Sequence, residues 1–287
     1  PWVPPIKGND NKDCFVYRTI EDLKAIETTA HRSKSGAVVG GGLLGLEAAG
    51  ALKALGVETH VIEFAPVLMA EQLDVQGGQM LRHKIENIGV NVHTSKNTQE
   101  ITTAGKTARN TMRFADGSEL EVDFIVFSTG IRPQDKLAKQ CGLAIAPRGG
   151  ISINSQCQTS DADIYAIGEC ASWNETFFGL VAPGYKMATV AVDKLLGKDS
   201  RFAGADMSAK LKLLGVKVGS IGDANGRTPG CKSYVYQNEE DEVYKRLIVS
   251  ADGKQLLGAV LVGDTSDYDD LLQLKLNNIE LPKHPDS

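Results

Sequence analysis

At 287 residues, with 42% hydrophobic and 23% charged side chains, the chain has the composition of a soluble globular protein and the length for two or three domains. A formal net charge of -5 gives no electrostatic basis for binding nucleic acid or an anionic membrane, and no apolar run reaches the length of a membrane span. The five cysteines, Cys14, Cys141, Cys157, Cys170 and Cys231, are scattered with no C-x-x-C pair to suggest a zinc site or a redox dithiol, and read as thiols of a reducing cytoplasm. The opening Pro1-Trp2-Val3-Pro4-Pro5 has neither an initiator methionine nor a signal-peptide pattern, so the chain is expected to be a piece of a longer one.

Residues Cys14 to Tyr17 suit a short strand, and Thr19 with Asp22 at the third helical position marks a capped helix start. From about Lys34 the pattern becomes more specific. Ser35 to Val39 are small or β-branched, as a buried strand requires. The turn that follows sets Gly40, Gly42 and Gly45 in G-x-G-x-x-G register, and Leu43 to Leu55 continues as a helix that Gly56 ends. In order, the three glycines allow a tight turn, close approach of a pyrophosphate to backbone, and close packing of helix on strand. The amides and dipole at the start of that helix would face the phosphates. Glu58 to Ile62 form the second strand, and Glu63 sits at its carboxyl end. A carboxylate there accepts both hydroxyls of an adenosine ribose and repels a 2′-phosphate. Phe64-Ala65-Pro66 brings no arginine to hold such a phosphate, so the expected dinucleotide is NAD(H) rather than NADP(H). A glycine turn in an unrelated α/β domain would leave Glu63 unexplained.

Beyond Pro66, Gly78 to Ile88 carries Leu81, Ile85 and Ile88 at helical spacing up to Gly89. Val90 to Ser95 reads as a strand, and Thr111 to Ala115 with Glu119 to Val122 as a hairpin about Asp116-Gly117. Asp123 to Ser128 is a buried strand running into Thr129-Gly130-Ile131-Arg132-Pro133. A second region, about Gln134 to Lys198, centres on Ile164 to Glu169, a strand ending in Gly168-Glu169, and on a helix from Pro183-Gly184 through Leu196. A third, about Phe202 to Ser287, has strand patterns at Lys212 to Ile221, Lys232 to Tyr236, Val243 to Val249 and Gln255 to Val262. It closes with a helix from Tyr268 to Asn278 behind the capping stretch Asp264 to Asp267, which reads as a cap in preference to a cation loop. The histidines, His31, His60, His83, His93 and His284, have no metal-ligand or triad spacing, and Phe177-Phe178 reads as packing.

Three landmarks stand in order: G-G-G-x-x-G-x-E from Gly40 to Glu47, T-G-I-R-P from Thr129 to Pro133, and I-Y-A-I-G-E from Ile164 to Glu169. Together they resemble the flavoprotein oxidoreductases built on two dinucleotide folds, one for FAD and one for NAD(P)H, in the branch of rubredoxin and ferredoxin reductases. Arg109 to Leu120, Ala171-Ser172-Trp173, Gly179 to Ala188 and Leu213 to Asp223 are similar, more narrowly, to the large subunits of NADH-dependent nitrite reductases. The likeness runs through essentially the whole chain.

The resemblance implies an α/β fold: a Rossmann-like NADH-binding domain (34–133) inserted in an FAD-binding domain that is incomplete here, followed by a small α+β interface domain (201–287). Residues 1–33 would be the end of the first FAD-domain segment with a connector, and 134–200 the second segment. NADH and FAD are the implied cofactors, with hydride passing from NADH to FAD and electrons onward for reduction of nitrite to ammonia. Sirohaem and iron–sulfur clusters would belong to acceptor domains of the same parent chain outside this stretch, with a small nitrite reductase subunit as a candidate partner. A rubredoxin- or ferredoxin-type reductase and a non-catalytic NADH-binding module stay open as alternatives.

On both the physical reading and the resemblance, Gly40, Gly42 and Gly45 form the NADH pyrophosphate turn and Glu63 the ribose contact. The resemblance adds Glu47 as a partner of the nicotinamide carboxamide; the alternative is a solvated acid near the helix start. It adds Gly130 and Ile131 as the loop beneath the nicotinamide, or else an ordinary strand-to-loop turn. Gly168 and Glu169 match the flavin motif whose acid bonds the ribityl chain. Glutamate stands where that family usually has aspartate, so either the backbone shifts to keep the bond or the bond is lost. Gly184 and Tyr185 would aim a helix start at the flavin O2 side, unless Tyr185 is core, and Arg18 is either an FAD contact or a surface ion-pair partner. Hydride transfer needs no side-chain acid or base, so no catalytic residue and no metal ligand are assigned. The chain alone is expected to bind NADH and to have little reductase activity.

Overall fold

The computed structural model describes residues 1–103 and 109–282, and the chain divides into two units, residues 1–130 with 208–287 and residues 131–207. The first unit opens with β1 (Cys14–Val16), α1 (Ile20–Ala30), β2 (Ser35–Val39), α2 (Leu43–Ala54), β3 (Glu58–Ile62) and α3 (Val75–Asn87). It continues with β4 (Asn91–His93), β5 (Thr98–Thr103), β6 (Asn110–Phe114), β7 (Glu119–Val122) and β8 (Phe124–Phe127). α1 starts as its sequence predicts: the Thr19 hydroxyl accepts the Asp22 amide while the Asp22 carboxylate accepts the Thr19 amide, satisfying two otherwise orphaned donors. α3 begins earlier than its hydrophobic spacing suggests, because the Asp74 carboxylate accepts the Gly77 amide and caps the helix there.

Strands β4, β3, β2, β8 and β1 lie side by side in that order, all parallel. Every residue of β2 and β8 is buried, which is why both read as unbroken small or apolar runs without polar alternation. The pleat sends alternate residues to opposite faces. Val38, Val61, Phe124 and Val126 enter one core with the helices, whereas Ala37, Val39, Ile62, Ile125 and Phe127 pack on the antiparallel meander β5-β6-β7. Of that meander the sequence reveals β6 and β7; β5 carries one apolar residue, Ile101, and offers no alternation to see. β1, assigned by sequence to the segment before the dinucleotide unit, is the edge strand of this same sheet.

The second unit contains α4 (Lys136–Gln140), β9 (Ile151–Ile153), a 3-10 turn at Gly168–Cys170, β10 (Ala171–Trp173) and α5 (Val181–Leu195), with β9 and β10 paired in parallel. The strand expected over Ile164 to Glu169 does not form. Tyr165 makes one bridge to Gln158, Ile164 and Ile167 are exposed, and the chain coils into the 3-10 turn. A strand needs a ladder along its length, and among the described residues this segment has only that single bridge. α5 starts at Val181, ahead of the expected Pro183-Gly184, because a proline in the first turn gives up no intrahelical bond. Pro183 is buried in the first turn of α5. Met187, Val190 and Ala191 are buried with Ile153, Cys157, Ala166, Phe178 and Phe202, and Phe178 meets Phe202 edge-on at 5.3 Å, so it is packing.

The chain then returns to the first unit as β11 (Ala209–Leu213), β12 (Val216–Gly222), β13 (Lys232–Asn238), β14 (Val243–Val249), β15 (Leu256–Val262) and α6 (Tyr268–Leu276). The run Lys212 to Ile221, expected as one strand, folds back on itself: Leu214 at φ +48° and Gly215 at φ +88° make a two-residue turn between β11 and β12. The five strands form an antiparallel sheet in the order β11-β12-β15-β14-β13. Leu213, Val216, Val218, Tyr244, Val260 and Val262 share a continuous core with α1, α2 and α3, while Ile221, Ala259 and Leu261 are covered by α6. Asp264 to Asp267 gives α6 no side-chain cap; instead Lys245 donates to both carboxylates, at 2.6 Å and 2.5 Å, and holds the Asp264 carboxyl down to about 2. Tyr244 donates to Asp74 at 2.7 Å and Arg246 pairs with the same carboxylate at 3.3 Å, so the cap of α3 is also a junction with β14. No helix among the described residues is long and apolar enough to cross a membrane.

Candidate functional site

The glycine turn forms where β2 ends. Gly40 has φ +117°, and a Cβ on it would lie 2.2 Å from the Ser128 carbonyl oxygen, so only glycine fits between the ends of β2 and β8. A Cβ on Gly45 would lie 1.9 Å from the Gly40 carbonyl oxygen, so the third glycine sets how closely α2 approaches the turn. At Gly42 the situation reverses: φ is -85°, and an added Cβ meets no protein atom within 4 Å. Neither conformation nor packing within the chain asks for glycine there, which leaves the space beside the start of α2 as the reason. Gly42 supplies no side-chain cap and the first turn of α2 carries no acid, so the leading amides keep their partial positive charge uncompensated. The ligand suited to that chemistry is an anion, and a pyrophosphate fits it.

Glu63 follows β3 and is held against the turn. Its two oxygens accept from the Gly41 N–H at 2.5 Å and the Ala65 N–H at 2.7 Å, with lone pairs left for hydroxyl donors. Thr129 and Gly130 follow β8, on the other side of the glycine turn. Gly130, at φ +105°, accepts the Trp2 N–H at 2.8 Å, and the Thr129 hydroxyl donates to the Trp2 carbonyl at 2.6 Å. Gly40, Gly42, Gly45, Glu63 and Gly130 are thus collected at the carboxyl edge of the parallel sheet, beside the point between β2 and β8 where the strand order reverses. Ile131, the next residue, is exposed and begins the second unit. Glu47 is exposed on α2; burial first, and the Glu47 charge second, push the Tyr17 phenol, next after β1, up from its ordinary value. Arg18 is exposed, and its N–H donates to the Asp22 carboxylate at 3.2 Å beside the start of α1.

In the second unit Gly168, at φ +77°, opens the 3-10 turn and donates its N–H to Met187 Sδ at 3.3 Å. A Cβ on Gly184 would lie 3.5 Å from Gly168 Cα, so two glycines meet where this turn crosses the first turns of α5. That helix start also has no side-chain cap and no acid in its first turn. Its leading amides suit a group bearing hydrogen-bond acceptors, such as the edge of a flavin ring. Glu169 is half-buried, and Tyr185 is exposed rather than core.

Sequence reasoning missed Gly41, Met69 and a histidine pair. His60 Nδ1 and His93 Nε2 lie 3.1 Å apart on neighbouring strands with stacked rings, and burial lowers both pKa values. Only the β3–β4 register brings them together, so no sequence spacing announces them. Among the described residues no three-ligand metal cluster occurs, and His284 lies outside the described residues. All five cysteines are free, and burial pushes the thiols of Cys14 and Cys157 up to about 11, so neither is a thiolate near neutrality.

Residues 1–194 match the family model described as pyridine nucleotide-disulphide oxidoreductase, and residues 208–278 match the rubredoxin NAD+ reductase C-terminal domain. The chain belongs to the pyridine nucleotide-disulphide oxidoreductase family. Within that family it is 77% identical over 287 residues to the nitrite reductase (NADH) large subunit of Escherichia coli (strain K12), across 100% of this chain and 34% of that protein. It is 58% identical to the nitrite reductase NAD(P)H large subunit of Klebsiella oxytoca, across 100% of this chain and 30% of that one. The chain therefore spans about a third of the length of these curated relatives. A solved structure, the NAD-dependent persulfide reductase from A. fulgidus, matches with a TM-score of 0.85 over 97% of this chain and 55% of its own, at 24% identity, a likeness of fold. The family architecture, a Rossmann-like parallel sheet with a C-terminal antiparallel domain, is the one described above.

Proposed function

We propose that the first unit binds NADH through Gly40, Gly42, Gly45 and Glu63, that the second binds the flavin of FAD through Gly168, Glu169, Gly184 and Tyr185, and that they serve as the electron input of an NADH-dependent nitrite reductase. One observation carries this reading. An uncapped helix start, a glycine with no internal reason to be one, and a carboxylate held beside them lie together at the carboxyl edge of the parallel sheet, where the strand order reverses.

The leading amides of α2 hold the pyrophosphate, and Gly42 lets it come close. Glu63 accepts the ribose hydroxyls with the lone pairs that Gly41 and Ala65 leave. A 2′-phosphate would bring further negative charge against that carboxylate, and the adjoining Phe64, exposed to solvent, supplies no compensating cation. Glu47, Gly130 and Ile131 are assigned to the nicotinamide half. A flavin bound by the second unit would supply acceptance of hydride from NADH and its release as single electrons. The uncapped start of α5 would favour negative charge there. A match along the whole of this chain to relatives named as nitrite reductases supports nitrite as the final acceptor; its reduction, with sirohaem and iron–sulfur clusters, is assigned to the part of such proteins that this chain does not cover. Five free cysteines agree with a reducing, cytoplasmic setting.

Calorimetric titration of the purified chain with NADH and with NADPH, recording flavin absorbance alongside, tests the reading. NADH is expected to bind at least about tenfold more tightly, and Glu63→Gln to narrow the gap to within about threefold, because it removes the charge that opposes a 2′-phosphate. Preference of the unaltered chain for NADPH would sink the role given to Glu63.

A further inference from the structure

The segment 65–73, between β3 and α3, contains no strand or helix, yet it grips the glycine turn at its middle residue. Gly41 donates its N–H to Glu63, and its carbonyl accepts the Met69 N–H at 3.0 Å. Met69 is fully buried and stands at φ +51°, a conformation disfavoured for any residue with a side chain. Such a conformation persists where the surroundings over-determine it. Here they do. The carbonyls of the next three residues each accept a side-chain donor from the C-terminal sheet and its loops. Asn225 Nδ2 reaches Ala70 at 3.3 Å and Glu71 at 3.2 Å, and Ser220 Oγ reaches Gln72 at 2.9 Å. The loop bearing Asn225 is itself ordered, because the Asp223 carboxylate accepts the amides of Arg227 and Thr228 and the Thr228 hydroxyl.

A run of hydrogen bonds therefore leads from the C-terminal sheet, from Ser220 to the Gln72 carbonyl and from the Gln72 N–H to the Met69 carbonyl at 2.8 Å. It continues from the Met69 N–H to the Gly41 carbonyl and from the Gly41 N–H to Glu63, with Asn225 holding the two peptides between Met69 and Gln72. The ladders of β12 with β11 and β15 are made by backbone and do not use Ser220 Oγ or Asn225 Nδ2. What these side chains do fix is a peptide inside a run of three glycines, the most permissive backbone there is. Left unlatched, the Gly41 carbonyl is free to turn toward the start of α2, where an acceptor oxygen repels a phosphate.

We propose that Ser220 and Asn225 are positioning residues for the dinucleotide: through Met69 they keep the Gly41 carbonyl engaged, so that the turn presents donors alone to the pyrophosphate. The proposal rests on the NADH reading of this turn. The test is the Ser220→Ala/Asn225→Ala double variant of the whole chain, titrated with ADP-ribose at low temperature, with thermal melting in parallel. The Kd is expected to rise roughly three- to twentyfold, the range for residues that modulate a site without touching its ligand. Because the effect passes through Gly41 and Glu63, combination with Glu63→Gln is expected to weaken binding by less than the product of the separate effects. Ser220→Thr, which restores the hydroxyl, is expected to bind as the unaltered chain does. If the double variant melts too early to titrate, Asn225→Ala alone is expected to raise Kd about threefold. An unchanged Kd, or effects that simply multiply with Glu63→Gln, overturns the proposal and leaves the dinucleotide site standing. Failure of the unaltered chain to bind ADP-ribose overturns both.

Discussion

Replacing Gly42 by alanine puts a methyl group where the chain itself has no atom within 4 Å. The backbone there, at φ -85° and ψ -173°, is extended and open to any residue, so alanine enters without strain. The structural cost is confined to the difference between glycine and alanine as a helix cap, about 0.5–1 kcal/mol. For a unit of this size that lowers Tm by roughly 2–3 °C. Binding should suffer far more. The methyl stands between a pyrophosphate and the leading amides of α2, and a charge-assisted hydrogen bond is worth about 1.5–3 kcal/mol. Loss of one such bond, at about 2 kcal/mol, raises the NADH Kd about thirtyfold. Gly45→Ala makes the opposite case. Its Cβ would lie 1.9 Å from the Gly40 carbonyl oxygen, so the helix must withdraw from the turn. That overlap costs at least about 3 kcal/mol against about 1 gained in helix propensity, and Tm should fall by roughly 5–8 °C. Calorimetric titration with NADH and a thermal melt of each variant decide the matter. If Gly42→Ala binds NADH within about threefold of the unaltered chain, or melts as early as Gly45→Ala, the argument that Gly42 is a glycine for the ligand's sake is wrong.

Tyr244→Phe deletes the hydroxyl that donates to Asp74 at 2.7 Å, a bond to a carboxylate worth about 1.5–3 kcal/mol, and denaturant unfolding should register that loss; no change would show that the junction carries no stability. The His60–His93 pair predicts an acid sensitivity. Burial lowers both folded pKa values, and for His93 the charge of His60 lowers its own further, so the unfolded chain takes up protons first as pH falls. Their contribution to stability is whole above about pH 6.5 and is lost progressively below it. Melts taken from about pH 7.5 to about pH 5.5 should show Tm falling, with a shallower slope in His60→Gln; equal slopes would remove the pair from the explanation.

Constraints that are local were the ones legible beforehand. The Thr19–Asp22 cap, the buried run Ser35–Val39 and the spacing of Gly40 and Gly45 each involve residues within one strand or one turn, and the structure has them in place. Ile164 to Ile167 misled because β-branched and aromatic side chains only permit a strand, whereas a neighbour makes one. The hairpin at Leu214-Gly215 is hard to read because a leucine at φ +48° has no signature; the one trace it leaves is that the charged positions shift from even (Lys210, Lys212) to odd (Lys217) across it. The structure places Gly40, Gly42, Gly45 and Glu63 at one edge of the parallel sheet, while the bonds of Met69, Ser220 and Asn225 to that region have no sign in the sequence. Side chains bonded to distant backbone carbonyls leave no pattern in the residues that own those carbonyls.

The core beneath α2 and α3 is assembled from two stretches of chain that are made at different times. Leu52, Leu81 and Ile85 are buried with Val216, Tyr244 and Val260, and residues 131–207 are synthesised in between. A nascent chain that has reached the end of the second unit has therefore emerged with these leucine and isoleucine faces still uncovered, and chaperones recognise such surfaces. Because the entropy of closing a loop grows only slowly with its length, the interruption weighs little on final stability and heavily on the rate of getting there. The first unit becomes complete only when β11 to β15 arrive.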